Sequence, residues 1–236
     1  MTSWQPVALS AIHPKHLSLG AVIVESDGWK RPASYTSADE ETGRLRENVG
    51  ICDISPLGKI VVHGDIDAYL AEGFPQPVPS NPGMSGRLQA AEDTAVQEIV
   101  VARLAHDEAL LLTAPNQAPL VIALLESETE RCAHTVDVTS VMAGIKITGP
   151  LALRLLAGVT EMDLRPESFP GMSCAQGSVA EVHGTLLRLD HGDLPGYDLF
   201  FGREYGEYMW DSLMEAGSPF GVTPFGTEAL ARLKKR

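Results

Sequence analysis

The sequence predicts an α+β protein with mostly antiparallel sheets and with helices on one side of them. Two segments, residues 49–70 and 136–156, repeat the same pattern of strand, turn and helix. Two apolar stretches, 95–104 and 109–113, are separated by a short polar turn and predict a β-hairpin. Residues 205–216 have apolar side chains at helical spacing and predict an amphipathic helix.

Each repeated segment contains the same four features in the same order. An acidic–aliphatic–hydroxyl triplet is followed by an alternating apolar stretch, a glycine and the start of a helix. Alternation at period two predicts a strand, and apolar residues three and four apart predict a helix. Because internal self-similarity constrains topology, we expect two related supersecondary units. The paired features are residues 53–55 and 137–139, 59–63 and 144–148, Gly64 and Gly149, and the helices that include 68–70 and 151–156.

Local composition and periodicity predict the remaining elements. Stretches rich in glycine and proline are predicted to be loops, because these residues interrupt helices and central strands. The predicted loops are 28–35, 73–86, 162–177 and 191–197. The further predicted strands are 21–24, 178–183 and 185–190 on either side of Gly184, and 198–201. The further predicted helices are a short one within 13–19, then 36–48, 119–128 and 226–233.

The composition argues against several classes of function. The chain has 236 residues, with 18 Lys or Arg against 31 Asp or Glu, and its net charge is −13. Nucleic-acid binding needs a cationic face, which this balance does not favour. No apolar run approaches the ~20 residues of a membrane-spanning helix, and the N-terminus lacks the basic and apolar regions of a signal peptide. We therefore expect no nucleic-acid partner and no membrane association.

The cysteines and histidines predict neither a disulfide framework nor a metal site. The three cysteines, Cys52, Cys132 and Cys174, are widely spaced and form no CxxC pair. An odd number of such cysteines is typical of buried thiols in a reducing compartment, so we expect a cytoplasmic protein. His13 and His16 have no evident third ligand and no HExxH motif occurs, so we expect no metal.

Three groups of residues carry a resemblance that covers nearly the whole chain. The first combines LGAV at 19–22 with WKRP at 29–32, and the second is VGICDISPLGKI at 49–60, which is similar to a GxxDxSxxGKI signature. The third is an ordered series, namely ITGP at 147–150, GYDL at 196–199, WDSL at 210–213 and PFGTEAL at 224–230. In these residues the chain resembles the folate-binding aminomethyltransferases related to the T-protein of the glycine cleavage system. Within that family it resembles most the corresponding domain of the alpha chain of heterotetrameric sarcosine oxidase.

The resemblance implies a fold of pseudo-repeated subdomains around a central folate channel. We expect residues 1–236 to form a single unit of interleaved subdomains, with repeat units at about 49–130 and 136–233. The family continues into a C-terminal β-barrel, which we expect this chain to lack. The implied ligand is tetrahydrofolate, and the implied cargo is a one-carbon unit.

Glu98 stands where the family has its catalytic aspartate, at the start of a strand. In the family this carboxylate holds or activates the amine nitrogens of the folate, and in a site of low dielectric constant such a group stabilises developing positive charge. The glutamate is one methylene longer, and a displacement of about 1 Å costs ~100-fold in rate. Glu98 is therefore the predicted catalytic residue, and the alternative is an outward-facing strand residue.

Five further residues are predicted to contact the cofactor, four of them through the resemblance and Trp29 through its aromatic ring. Asp193 is the nearest match in position to the family's glutamate that binds the pterin. A carboxylate suits the amidine edge of the pterin because it accepts two parallel N–H bonds. Pro195 changes the spacing there, and the alternative for Asp193 is an ordinary turn residue. Asn116 lies near the place of a family asparagine that Ala114 occupies, and Leu57 replaces a methionine that lines the channel. The five residues are Leu57, Asp193, Tyr197, Asn116 and Trp29, the last by stacking or, alternatively, as part of the core.

Three functions are compatible with this resemblance. The first is a folate-binding subunit that accepts the methylene released when a flavin-dependent partner subunit oxidises an N-methyl amine such as sarcosine. The WKRP and LGKI segments favour this function. The second is a stand-alone tetrahydrofolate-dependent aminomethyl- or methyltransferase. The third is a scaffold that kept the fold and lost folate binding, which the unusual Glu98, Ala114 and Asp193 leave open.

Overall fold

The computed structural model describes residues 7–71, 73–90, 96, 98–128 and 133–234. In these ranges the chain forms fourteen strands and seven α-helices. The strands are β1 Ala8–Leu9, β2 Val22–Ser26, β3 Trp29–Ser34, β4 Gly50–Asp53, β5 Gly58–Gly64, β6 Ser85–Gln89, β7 Glu98–Arg103, β8 Glu108–Thr113, β9 Ala133–Asp137, β10 Met142–Thr148, β11 Cys174–Val179, β12 Val182–Arg188, β13 Gly196–Gly202 and β14 Thr223–Pro224. The helices are α1 His13–Ser18, α2 Ala38–Glu47, α3 Ile66–Ala71, α4 Ala118–Glu128, α5 Ala152–Leu156, α6 Gly206–Gly217 and α7 Thr227–Lys234. None of the helices in these ranges is both long and apolar enough to span a bilayer.

The strands form three sheets, and nearly all of their pairs are antiparallel. The six-stranded sheet has the order β11-β12-β13-β10-β4-β14, the five-stranded sheet has the order β6-β7-β8-β5-β9, and a small sheet has the order β1-β3-β2. In the described part of the chain, only the two-residue strands β1 and β14 run parallel to a neighbour. The predicted α+β class with mostly antiparallel pairing is confirmed.

The two repeated segments exchange strands with each other. β4, which leads into the first triplet, pairs with β10 of the second segment and places Asp53 opposite Ile145. β9, which leads into the second triplet, pairs with β5 of the first segment and places Asp137 opposite Ile60. Each large sheet therefore contains strands from both segments.

Matching hydrogen bonds fold both triplets into the same turn. One carboxylate oxygen of Asp53 accepts from the Ser55 N–H at 2.9 Å. One carboxylate oxygen of Asp137 accepts from the Thr139 N–H, also at 2.9 Å. Aspartate commonly forms such a bond two residues along its own backbone, so the repeated sequence corresponds to a repeated local structure.

The hydroxyl groups of the two triplets connect the segments. The Ser55 Oγ accepts from the Gly144 N–H at 3.1 Å, and the Thr139 Oγ1 accepts from the Lys59 N–H at 3.0 Å. Each hydroxyl therefore binds the backbone of a strand in the other segment. The division of the chain into interleaved subdomains stays a prediction.

Three layers of apolar side chains hold the sheets and helices together. One layer packs the six-stranded sheet against α5 and α6, and another packs the five-stranded sheet against α3 and α4. The third layer lies between the two large sheets and includes Cys52, Leu187 and Phe200 from one sheet and Leu110 and Leu112 from the other. The central strands of both large sheets are therefore covered on both faces.

The prediction of a loop at residues 28–35 is wrong. β3 occupies most of this stretch and pairs with β2 on one side and with β1 on the other. Pro32 lies opposite Ile23, beside an irregularity of the pairing. Irregular positions of this kind accept a proline within a sheet, so Pro32 does not interrupt the strand.

The predicted break between two strands at Gly184 is also wrong. β12 runs through Gly184, where an added Cβ atom would lie 2.9 Å from the carbonyl oxygen of Phe200. The glycine therefore permits the close approach of β13 and does not form a turn. The turn lies earlier, at Ala180 and Glu181, whose φ angles are 47° and 64°.

The loops predicted at 73–86 and 162–177 each end in the first residues of a strand. These strands, β6 and β11, lie at the edges of the two large sheets. Met84 and Ser173, which precede them, form an isolated β-bridge. The two large sheets are therefore linked at this edge as well as by the exchanged strands.

Two of the three cysteines lie in the described ranges. Cys52 and Cys174 are buried free thiols, as predicted. Burial raises the pKa of Cys52 to about 12 and that of Cys174 to about 11. Cys132 lies outside the described residues.

Candidate ligand-binding site

A cavity of about 400 Å³ opens between the two large sheets. β7 and β8 contribute to one wall and β10 and β13 to the opposite wall, together with residues of β3, of α7 and of the loop after β4. Its apolar lining includes Ile54, Leu57, Val100, Leu112 and Leu189. The volume lies in the range of sites that bind small molecules.

A buried ion pair forms part of the wall. Lys146 on β10 lies directly opposite Asp198 on β13, and the Lys146 Nζ donates to the Asp198 Oδ1. Both side chains are 5% exposed. The same cross-strand row continues to Cys52 on one side and to Leu187 on the other. The ion pair therefore interrupts an otherwise apolar layer.

Arg31 on β3 brings a second cationic group to the cavity. Its Nη1 lies 3.3 Å from the Asp27 Oδ2, and its side chain is mostly buried. Its Nε–H is buried and has no acceptor among the residues that the structure describes. Because a buried donor without an acceptor costs about 1–3 kcal/mol, this N–H fits an acceptor atom of a ligand.

Glu98 is the more exposed carboxylate of the cavity wall. Its Oε1 accepts from the Arg87 Nη1 at 2.8 Å, and its Oε2 accepts from the Gln89 Nε2 at 2.7 Å. The Glu98 side chain is 39% exposed and that of Arg87 is 42% exposed. Solvent therefore screens this pair far more than it screens the pair of Lys146 and Asp198.

The cations of the cavity lining are all members of ion pairs. Arg31 lies beside Asp27, Arg87 beside Glu98 and Lys146 beside Asp198. Asp27 is outside the lining, so the lining itself holds three cations and two carboxylates. Within the described ranges, no group of three or more His, Cys, Asp or Glu side chains is placed to hold a metal ion.

The family model of the GCVT N-terminal domain matches residues 12–235, which include the whole cavity wall. The chain belongs to the GCVT N-terminal domain family. The resemblance predicted from the sequence is thereby confirmed.

Curated relatives of this GCVT domain include two kinds of enzyme. The chain is 28% identical to the sarcosine oxidase subunit alpha of Rhizobium meliloti, over 98% of this chain and 25% of the relative. It is 27% identical to an aminomethyltransferase of Geobacillus thermodenitrificans, over 94% of this chain and 62% of the relative. The chain thus spans about a quarter of the first relative and less than two thirds of the second.

Two solved structures share the fold of the GCVT domain. The aminomethyltransferase T of the glycine cleavage system from Bartonella henselae matches with a TM-score of 0.83 at 19% identity, over 97% of this chain and 62% of that chain. A heterotetrameric sarcosine oxidase from Corynebacterium sp. U-96, in complex with pyrrole 2-carboxylate, matches with a TM-score of 0.65 at 18% identity, over 91% of this chain and 96% of that chain. At these identities the likeness concerns the fold alone.

The six residues predicted for the site lie in three different environments of the GCVT domain. Two of them line the cavity, namely Glu98 and Leu57. Two are buried outside the cavity lining, at 8% and 1% exposure, namely Trp29 and Tyr197. Two are exposed and also lie outside the lining, namely Asn116 and Asp193.

The four residues outside the lining have other surroundings. Tyr197 packs in the layer between the six-stranded sheet and its helices. Its neighbour Asp198 lines the cavity, since successive residues of a strand point to opposite faces of the sheet. Asn116 has a φ angle of 62°, and its Nδ2 donates to the carbonyl oxygen of Asp27. Asp193 is an exposed residue of the turn before β13. Trp29 starts β3.

Sequence reasoning misses four charged residues of the cavity, namely Arg31, Arg87, Lys146 and Asp198. For two of them the sequence contained a signal, because Lys146 and Asp198 are single charges within otherwise mostly apolar strands. A charge at a covered position of a sheet is rare unless it is paired. That signal becomes informative only when the strand is known to be covered on both faces.

A buried network supports the loop that follows β4. The Asp53 Oδ2 accepts from the Ser10 Oγ at 2.5 Å and lies 2.9 Å from the His16 Nε2. The other ring nitrogen of His16 lies 2.7 Å from the Tyr35 hydroxyl. Burial by itself raises the pKa of Asp53, but the hydrogen bonds from His16, Ser10 and Ser55 outweigh it and hold that pKa below its ordinary value.

Lys59 holds the same loop from inside the protein. Its Nζ donates to the carbonyl oxygens of Ser55 and Leu57, at 2.6 and 2.8 Å. The residue is fully buried, and burial lowers the pKa of its amine to about 8. The loop that carries Ile54 and Leu57 to the cavity is therefore fixed at several points before any ligand arrives.

Proposed function

We propose that this GCVT domain binds tetrahydrofolate in the cavity and carries a one-carbon unit on it. The observation that carries the proposal is the cavity of about 400 Å³ between the large sheets, with Glu98 on its wall. Tetrahydrofolate combines a pteridine ring with polar edges, an apolar aminobenzoyl group and an anionic glutamate tail. It therefore needs apolar walls, hydrogen-bonding groups and cations in one site. In this proposal the cavity is the folate channel that the family resemblance implies, and a cytoplasmic location belongs to the same proposal.

The lining offers each of these three kinds of contact. Leu57, Val100 and Leu112 supply apolar surface for the rings. Arg31 and Arg87 supply guanidinium groups, which bind carboxylates through two parallel hydrogen bonds. The unpaired Nε–H of Arg31 is a donor that a ligand oxygen satisfies.

Glu98 is proposed to act on the amine nitrogens of the folate. A one-carbon unit at the formaldehyde level joins an amine through a positively charged iminium group, which a nearby carboxylate stabilises. Arg87 and Gln89 each bind one oxygen of Glu98, at 2.8 and 2.7 Å. The carboxylate is therefore oriented before the ligand binds, which lowers the entropic part of the barrier.

A flavin-dependent amine oxidoreductase subunit is proposed as the source of the one-carbon unit. Support comes from the Rhizobium meliloti relative, a sarcosine oxidase subunit alpha that matches 98% of this chain. Two-electron oxidation of an N-methyl amine such as sarcosine gives an iminium whose carbon is at the formaldehyde level. The aminomethyltransferase of Geobacillus thermodenitrificans supports a second candidate, in which the domain transfers the unit without such a partner.

Calorimetric titration with tetrahydrofolate, under anaerobic and reducing conditions, tests the proposal. The wild-type chain is expected to bind one equivalent. Leu57→Trp fills part of the cavity and is expected to weaken binding at least tenfold. Leu120→Trp is the matched control, because Leu120 is 46% exposed on α4 and outside the cavity lining; its affinity is expected to equal that of the wild type.

Two results would contradict the proposal. Equal binding by the wild type and by Leu57→Trp would show that the ligand occupies another place. Absence of binding by the wild-type chain would favour instead the scaffold that kept the fold and lost folate.

A further inference from the structure

β2 is an open edge of the small sheet and carries exposed apolar side chains. The order β1-β3-β2 leaves one side of β2 without a neighbouring strand in the described part of the chain. Val22 is 56% exposed and Val24 is 38% exposed, and Glu25 is the one charged residue of the strand. Proteins usually protect an open edge with charged side chains, prolines or bulges, because its unpaired backbone groups attract another strand.

The irregularity of the β2–β3 pair does not protect this edge. Val22 lies opposite Ser34, whereas Ile23 lies opposite Pro32. The extra residue, Ala33, therefore belongs to β3, and β2 itself is regular. A bulge bends the strand that contains it, so the outer edge of β2 stays straight and open to a partner strand.

The hairpin turn determines which backbone groups of β2 point outward. The loop between β2 and β3 has two residues, so Ser26 and Trp29, which flank it, bond each other. Bonded and non-bonded pairs alternate along antiparallel strands, and Val24 therefore also bonds β3. The N–H and C=O groups of Ile23 and Glu25 point away from β3, where another strand can bond them.

We propose that β2 pairs antiparallel with β2 of a second copy of this chain, about a twofold axis at Ile23. In this register the outward N–H and C=O groups of the two Ile23 residues bond each other. Val22 of each copy lies opposite Val24 of the other, so the exposed valines cover one another. The two small sheets then form one sheet of six strands, with the two β2 strands at its centre.

The side chains of β2 favour this register over its neighbours. An axis at Val24 places the charged Glu25 opposite Ile23 and leaves Val22 without an apolar partner. An axis at Glu25 places two carboxylates opposite each other, and like charges at such positions destabilise a sheet. The axis at Ile23 places Glu25 opposite Ala21 and pairs both exposed valines.

Apolar residues that precede β2 extend the surface that a second copy can cover. Leu17 of α1 and Leu19, which follows that helix, are also exposed. Stable interfaces bury about 1,200–2,000 Å² in total, and β2 has only five residues. We therefore expect a reversible dimer that dissociates at micromolar concentrations.

Sedimentation equilibrium of the full chain, without ligand and over the micromolar range, tests the proposal. The wild type is expected to dimerise. Val24→Glu and Val22→Lys each place an unpaired charge opposite a valine, so each is expected to weaken the dimer at least tenfold. Val136→Glu is the matched control, because Val136 is 55% exposed on β9, which is also an edge strand; it is expected to dimerise as the wild type does.

An equimolar mixture of Val22→Lys and Val24→Glu tests the register itself. In a mixed dimer the introduced lysine lies opposite the introduced glutamate, and the two remaining valines lie opposite each other. The mixture is therefore expected to dimerise more tightly than either variant alone. Circular dichroism verifies that each variant is folded, and both substitutions are at exposed positions of the monomer.

Each result supports or overturns the inference. A wild type that stays monomeric overturns it, as does a dimer that Val24→Glu does not weaken or that Val136→Glu weakens equally. A mixture that is no more dimeric than its components also overturns it, because another register or another surface then holds the dimer. Recovery in the mixture, with dimerisation retained in Val136→Glu, supports it. None of these measurements involves folate, so the inference is tested independently of the proposed function.

Discussion

The two aspartate turns of the repeat have the same local hydrogen bonds in very different surroundings. Asp53 is 3% exposed and also binds Ser10 and His16. Asp137 is exposed, and in the described structure its side chain has one hydrogen bond, from the Thr139 N–H. The N-terminal segment covers the first turn, whereas the second turn lies at the surface. A repeated motif thus specifies the local path of the backbone, while the burial of its polar groups depends on what the rest of the chain places over it.

Removal of the two aspartates is expected to give the largest difference between the turns. Asp53→Ala leaves the buried Ser10 and His16 without their hydrogen-bond partner, and the expected loss is about 2–6 kcal/mol, because each buried polar group without a partner costs about 1–3 kcal/mol. Asp137→Ala removes one bond at the surface and is expected to cost about 1 kcal/mol. Urea unfolding measures both free energies of unfolding. Similar losses in the two variants would mean that the buried surroundings of Asp53 contribute little.

Lys59, which holds the loop of the first turn, is expected to make the free energy of unfolding depend on pH. Gly144 stands at the matching position of the second repeat and has no group that titrates. Burial lowers the pKa of the Lys59 amine from 10.5 to about 8. Between these values the unfolded chain binds a proton that the folded chain does not. The contribution of Lys59 to the free energy of unfolding therefore rises as the pH increases from about 8 to about 10.5. The total rise is about 3 kcal/mol, and it is lost when the pH returns to about 8.

The difference between wild type and Lys59→Met isolates this contribution. Cys52 also titrates differently in the folded and unfolded chains, because burial raises its pKa to about 12, but it does so in both proteins. Urea unfolding of the two proteins at several values between pH 8 and pH 10 gives the difference directly. A difference that stays constant over this interval would contradict the lowered pKa.

The smallest effect is expected from the two hydroxyl groups. Ser55 is 4% exposed and accepts from the Gly144 N–H, so Ser55→Ala is expected to cost about 2 kcal/mol. Thr139 is less buried and accepts from the Lys59 N–H, so Thr139→Val is expected to cost about 1 kcal/mol. Thermal unfolding measures both losses, because each kcal/mol lowers the Tm of a chain of this size by roughly 2–4 °C. A larger loss from Thr139→Val would reverse the comparison.

Sequence reasoning predicted the parts of the fold that depend on residues near each other in the chain. The alternating stretches of the repeat form β5 and β10, as predicted. The exchange of strands was not predictable in this way, because local periodicity does not state that Asp53 lies opposite Ile145. Gly184 illustrates the same limit, since the neighbour that requires a glycine there is Phe200 of another strand.

The candidate site was predicted only in part, because strand patterns conceal its charged residues. Lys146 alternates with isoleucines as a residue on a solvent-facing side would, but a second sheet covers that side. A shift of one position changes the face of a strand, and this separates Tyr197, which the resemblance assigned, from Asp198, which lines the cavity. Glu98 and Leu57 do line it. Their roles stay predictions.

The exchanged strands make the two halves of the chain depend on each other during synthesis. β5 is made early, but β9, its partner on one side, follows only after β8 and α4. A nascent or truncated chain that stops before β9 has an open edge on β5, and open edges pair with strands of other molecules. Pairing between distant segments also slows folding. Cleavage between the two halves would therefore give two aggregation-prone fragments rather than two small proteins.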